Sequence, residues 1–184
     1  MGPVTTRVVL DANVLFPFSL RDTLLRAAAT GQFQLLWTDQ ILDETTRNLL
    51  KSGIVTEQQA AHLVNAMTTA FPEAMVRDYE SLIEGMPNQE KDRHVAAAAV
   101  KAGAQVIVTS NLRDFQEMPA GIQAQGPDEF LINLFDLHNQ EVVALLRDQA
   151  NALKRPPKTF EQLLDGLAKT VPLFVKTVRE PLGS

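Results

Sequence analysis

The chain has 184 residues, 22 of them acidic and 17 basic, for a formal charge of −5, and it contains no cysteine. That composition excludes disulfides, thiolate catalysis and cysteine-based zinc sites, and the acid surplus argues against a simple basic nucleic-acid-binding module. A hydrophobic share of 45% excludes wholesale disorder, while the longest wholly apolar run, residues 95–100, is far below the ~20 residues of a membrane span. No basic N-terminus precedes an apolar stretch, so the expectation is a cytoplasmic chain without a secretory leader.

In chain order, residues 7–10 form a short hydrophobic strand that ends at Asp11. Ser19 is placed to cap a helix reaching about residue 30, with Gly31 as its stop. Residues 33–37 are rich in β-formers. Thr38 or Asp39 opens a helix to about residue 52, ahead of Gly53, and Thr56 with Gln59 spells a capping box for the next helix, to about residue 71. Residues 74–79 read as a short strand, and residues 85–91, with Pro87 and Asn88, as a loop. The alanine-rich stretch 92–102 predicts a helix closed by Gly103, and residues 105–109 and 122–125 predict strands. Pro127 stands where a helix N1 proline belongs. Strands alternating with helices predict an α/β fold with a central parallel sheet covered on both faces. The last part differs: a helix over 141–154, a break at Arg155-Pro156-Pro157-Lys158, a Thr159-capped helix over 160–170, and a final short helix opened by Pro172. The expected organisation is a core of residues 1–135 and a C-terminal helical extension of residues 136–184.

Four acids stand where such a fold gathers chemistry. Asp11 follows the first strand directly in Asp11-Ala12-Asn13, and ligands of open parallel sheets bind just outside the C-terminal strand ends. A helix cap or Asx-turn is the structural alternative. Asp92 shares a helical stripe with Val95, Ala96, Ala99 and Val100, at i+3, i+4, i+7 and i+8, so its carboxylate faces inward unless it serves as a cap. Arg93 and His94 project away from that stripe, which makes His94 a surface or packing histidine. Glu44 borders the stripe of Ile41, Leu42, Thr45 and Leu49, while Asp43 turns aside. Thr109, Ser110 and Asn111 end the later strand, and Asp114 follows them. The hydroxyl of Thr109 or Ser110 is placed to orient a carboxylate or a metal-bound water. An oxygen-only ligand set suits Mg²⁺ or Mn²⁺, and carboxylates around such ions are equipment for phosphodiester hydrolysis.

Together, Asp11-x-Asn13 after a strand, Glu44 in Ile-Leu-Asp-Glu, Asp92-Arg-His-Val-Ala-Ala-Ala and Val-Thr-Ser-Asn-Leu-Arg-Asp-Phe resemble the PIN-domain ribonucleases over about residues 7–135. Within that family the chain is most similar to VapC-type toxins of bacterial toxin–antitoxin pairs, and its C-terminal helices resemble the extension of one VapC subgroup. The resemblance implies a PIN-like three-layer α/β/α fold and metal-dependent cleavage of RNA. It implies that Asp11, Glu44, Asp92 and Asp114 form the catalytic and metal-binding constellation, that Asn13 supports it, and that Asn111 replaces or assists Asp114. It also implies a cognate antitoxin and a homodimer. Arg21, Arg26, Arg47, Arg93 and Arg113 are candidates to hold the RNA backbone. A haloacid-dehalogenase-like phosphatase shares the strand-Asp-x-Asn and Val-Thr-Ser signals, but it lacks its second aspartate at position 13, and Lys154 and Lys158 fall in or beside the helical extension. A non-catalytic PIN-like binding module is the third reading, and four acids in family positions count against it.

Overall fold

The computed structural model describes residues 5–180. Its sheet has four parallel strands, β1 (Arg7–Leu10), β2 (Gln34–Leu36), β3 (Val106–Val108) and β4 (Gln123–Gln125), in the order β2-β1-β3-β4. The register sets Val8 beside Leu35 on one side and beside Val106 on the other. Side chains alternate between the two faces of a strand, yet Val8, Val9, Leu10 and all of β3 are buried, so both faces of the central strands are covered. That is the expected α/β/α layering. From β1 the chain builds outward to β2, then crosses back to place β3 on the other flank of β1. The strand order therefore reverses between β1 and β3, and the crevice beyond their C-terminal ends is the topological switch point of the sheet.

Helices form where the sequence supplies caps. The helix α1 (Ala12–Leu15) begins at Asp11, and α2 (Phe18–Ala29) follows Pro17 without a side-chain cap, so Ser19 does not take the capping role expected of it. Thr38 caps α3 (Asp39–Ser52), and Gly53 ends it at φ 76°, a left-handed position that favours glycine. Thr56 and Gln59 make the expected capping box of α4 (Glu57–Ala70). Residues 74–79 are not a strand. Only Met75 pairs with the sheet margin, bridging Trp37, while the amide of Trp37 donates to Ala74 and that of Val76 donates back to Trp37. Of residues 85–91, expected as a loop, only 86–89 lie between two 3-10 turns, Glu80–Gly85 and Glu90–Asp92, and the second leads directly into α5 (Arg93–Ala102). A third turn, Leu112–Phe115, follows β3.

The chain divides into two compact units. One takes the residues up to 16 and residues 33–125, and the other takes residues 17–32 and 126 onward. The second unit contains α2 with α6 (Pro127–Leu137), α7 (Asn139–Ala152), α8 (Phe160–Leu167) and α9 (Pro172–Arg179). The border expected at residue 135 falls inside α6, which runs unbroken from its N1 proline, and α8 stops three residues short of its expected end. Within this unit Gln149 is fully buried. It accepts a 2.7 Å hydrogen bond from Thr23 and donates to the Ser19 carbonyl, tying α7 to α2. Asp128 accepts from the Phe174 amide and anchors the first turn of α9. Among the described residues no helix is long and apolar enough to cross a membrane.

Ile107 lies in the middle of β3 with no exposed surface. Replacing it with alanine removes three buried carbons and leaves a cavity, a loss of about 3 kcal/mol. Thr38→Ala removes one cap hydrogen bond, worth about 1 kcal/mol. Urea unfolding followed by the emission of Trp37, the single tryptophan, is expected to rank the two variants in that order.

Candidate active site

The site begins where β1 and β3 end. The amide of Asp11 donates to the Val108 carbonyl at 3.0 Å, which extends the parallel ladder by one step and fixes the Asp11 backbone. One carboxylate oxygen accepts from the Ala12 amide at 2.8 Å, so the capping alternative is realised, but only by that oxygen. The other accepts from the Thr109 hydroxyl at 2.9 Å and from the Asn13 amide at 3.3 Å. The Thr109 hydroxyl spends its one proton on Asp11 and receives hydrogen bonds from Asn13 and from the Asn111 backbone, both at 3.1 Å. The Asn13 carbonyl oxygen accepts from the Ser110 amide at 2.9 Å. Thr109, and not Ser110, is therefore the hydroxyl that orients a carboxylate, and Asn13 laces the two strand ends together. Asp11 is buried, which pushes its carboxyl above the ordinary carboxylate range. The Thr109 and Ala12 hydrogen bonds pull it back down, and Glu44 raises it again.

Asp92 closes the 3-10 turn ahead of α5. It occupies the N-cap position but makes no capping hydrogen bond, so the structural alternative for this residue is not realised. Its Oδ2 is buried without any hydrogen-bond partner. Burial first, then the Asp11 charge and the Asp114 carboxyl, push Asp92 up to about 6. Asp114 moves the opposite way. Lys91, 3.0 Å away, holds it below the usual range, and a short hydrogen bond from the Asn111 amide adds to this. Of the two carboxyls, Asp92 is thus the one that keeps its proton to the higher pH. The 89 and 114 backbones are joined by a 3.2 Å hydrogen bond, which brings the two acid-bearing segments together.

Glu44 reaches the same neighbourhood from α3. It is half-buried, and its Oε1 lies 3.0 Å from Nε2 of His94. Of the two expectations for His94, surface or packing, the second is the one realised. The imidazole does not project to the surface but is 3% exposed and faces Glu44, and both side chains act electrostatically on Asp11. Asp43 does turn away, to pair with Arg47 on the exposed side of α3. Lys91 and His94 were not identified as site residues from sequence. Their signal is their closeness in sequence to Asp92, which helical periodicity alone does not resolve.

Among the described residues no three histidine, aspartate or glutamate side chains converge into a ready-made metal cage. Pairwise, Asp11 feels Glu44, and Asp92 feels Asp11 and Asp114. The buried, partnerless oxygen of Asp92 beside like charges fits a hard divalent cation, which would supply the missing partner through oxygen donors alone.

Residues 7–113 match the family model described as the PIN domain, and residues 127–180 match that of the VapC50 C-terminal domain. A protein of Mycobacterium tuberculosis named "Putative ribonuclease VapC50" is 42% identical over 125 residues, which is 65% of this chain and 72% of that protein. No solved structure matches significantly. Asp11, Asn13, Glu44, Asp92, Thr109 and Asn111 fall within the matched PIN span, and Asp114 lies just beyond its end.

The raised pKa of Asp92 sets the sign of a stability test. An acid that holds its proton more tightly when folded destabilises the fold once it ionises, so this cost is absent near pH 4 and complete above about pH 6. In metal-free buffer, Asp92→Asn is expected to be more stable than the parent at pH 7.5, by on the order of 1 kcal/mol after screening by solvent. The advantage should vanish toward pH 4. An equal advantage at both pH values in denaturant titrations would assign it to something other than this charge.

Proposed function

The chain belongs to the PIN-domain family, and from that premise we propose that it is a metal-dependent endoribonuclease, the toxin of a toxin–antitoxin pair. The observation that carries the reading is the meeting of buried Asp11 with half-buried Asp92, which feels the Asp11 charge, at the switch point of a parallel sheet. Asp11 and Asp92 would hold the cation, Mg²⁺ or Mn²⁺, with Glu44 and Asp114 completing or flanking its surroundings. When bound, such a cation supplies a water of lowered pKa and a counter-charge for the phosphate.

The protein's own groups do the positioning. Thr109 and Asn13 fix the rotamer of Asp11, so its carboxylate does not search for a geometry when substrate arrives. His94 holds Glu44 in the crevice rather than in solvent. Lys91 neutralises Asp114 and leaves the excess negative charge on Asp92 and Asp11. Without a cation Asp92 titrates near 6, and cation and proton compete for it, so affinity for the cation should fall as the pH drops below about 6. A homodimer and a cognate antitoxin covering the C-terminal helices belong to the same proposal. Membership of the PIN family sets the phosphatase alternative aside.

Asp11→Asn and Asp92→Asn are expected to lower Mn²⁺-supported cleavage of RNA by more than about 100-fold, beyond what the loss of a supporting residue costs. Thr109→Val, which keeps the shape and removes the hydroxyl, should cost about 10- to 100-fold. Undiminished activity of either aspartate variant, in a preparation free of contaminating nuclease, would overturn the reading.

A further inference from the structure

Beside the acids lies a cavity of about 390 Å³ with a wall of mixed charge. Asn88, Glu90, Arg93, Arg113, Asp114 and Glu117 line it. Its two sides are the segments that carry the site. Glu90 and Arg93 lie within two residues of Asp92, and Arg113 and Glu117 lie within three of Asp114. The cavity shares Asp114 itself with the acidic row.

Of the five arginines considered for RNA, three are committed elsewhere. Arg21 is buried with its guanidinium over the Phe18 ring, Arg26 pairs with Asp22, and Arg47 pairs with Asp43. Arg93 donates through its Nε to the Asn88 carbonyl at 2.9 Å and lines the cavity. Arg113 is exposed and makes no hydrogen bond or ion pair among the described residues. Asn88 is the second, independent observation. It is 4% exposed, its amide nitrogen donates to the Asp92 carbonyl, and its Oδ1 is buried without a partner. An acceptor left without a donor is uncommon in a folded interior, and here it belongs to a residue of the cavity wall.

We propose that this cavity is a base-recognition subsite that takes an unpaired guanine from the RNA strand held at the acids. This deepens the ribonuclease reading and rests on it. The cavity walls decide the chemistry. A bare phosphate would meet Glu90, Glu117 and Asp114 as well as the two arginines and would gain little. A neutral base avoids that conflict. Guanine offers acceptors at O6 and N7, the pair an arginine fork engages in bidentate fashion, and donors at N1 and N2 for a carboxylate. Adenine and the pyrimidines present one of these sets incompletely. The base must be unpaired, because duplex RNA hides these edges in a deep, narrow groove.

The test uses the full chain, oligouridylate substrates carrying a single guanosine, adenosine or cytidine, and the variants Arg113→Ala and Glu117→Gln, both at exposed positions where folding is not at risk. The parent enzyme should cleave the guanosine substrate with the highest kcat/KM. Each variant should lose about 10-fold or more on that substrate and little on the others, flattening the preference. An equal loss on every substrate, or a preserved preference, overturns the subsite. Titration with guanosine and uridine monophosphate, which share the phosphate, reads the base directly. The parent should bind the guanosine nucleotide at least about 10-fold more tightly than the uridine one, and Arg113→Ala should erase the difference. Equal binding of the two by the parent overturns the inference. A parent that cleaves no RNA but discriminates the two nucleotides overturns the ribonuclease reading and leaves the subsite standing.

Discussion

The hydroxyl of Thr109 holds the carboxylate of Asp11 at the point where the two central strands stop pairing, and the site is built outward from that contact. An ionised carboxylate taken out of water is costly unless donors replace the water. Here the donors are the Ala12 amide, the Asn13 side chain and the Thr109 hydroxyl. The first two come from the opening turn of α1, and the third from the residue that follows β3. The acid is therefore correctly oriented only when β1 and β3 are in register. Folding of the sheet and assembly of the site are one event, which is why a parallel sheet with a reversal in strand order suits this chemistry.

Once Asp11 is fixed, the remaining charges are arranged around it in opposition. His94 draws Glu44 inward, and Lys91 offsets Asp114. Among the described residues Asp92 has no ion-pair partner in contact: Lys91 acts on it only at a distance, while burial, the Asp11 charge and the Asp114 carboxyl outweigh that pull. The protein thus pairs the edges of the acidic row and leaves its middle only partly compensated. A fold optimised for stability alone would place a basic side chain there. The uncompensated charge is a reserve of free energy that a cation can recover on binding, and the same feature opposes stability in its absence.

Much of this was legible in the chain. A hydrophobic strand ending in an acid, a proline at helix N1, capping boxes and glycine stops are local signals, and β1, α4, α5 and α6 stand where they indicate. Asp11 and Asp92 were legible for the same reason, since position relative to a strand end or a helical stripe is a property of a few consecutive residues. The family resemblance added Glu44 and Asp114, which local pattern left ambiguous. Local pattern left His94 open between surface and packing, because periodicity describes which face of its own helix a residue occupies, whereas its burial depends on Glu44 of α3. Residues 74–79 have strand-like composition, but only Met75 finds a partner at the sheet margin, and partnering is not a local property. The grouping of α2 with the C-terminal helices was equally hidden, because it rests on Thr23 and Gln149, residues 126 positions apart.

The net charge of −5 remains the feature most at odds with a polyanionic substrate, and the distribution of charge around the acids answers it. Attraction of RNA at long range needs a positive field, which this chain does not have in aggregate. At short range the relevant quantity is the order of charges along the two segments that meet at the site: Glu90, Lys91, Asp92, Arg93 on one and Arg113, Asp114, Glu117 on the other. Alternating signs within a few residues give almost no distant field but strong local gradients, which fade beyond roughly 8–10 Å in physiological salt. A surface of that kind is a poor general binder of nucleic acid and discriminates among the groups brought into contact with it. A cation held by the acids would then assist encounter, and the polar walls beside it would assist selection. The two tasks fall to adjacent residues, and Asp114 belongs to both.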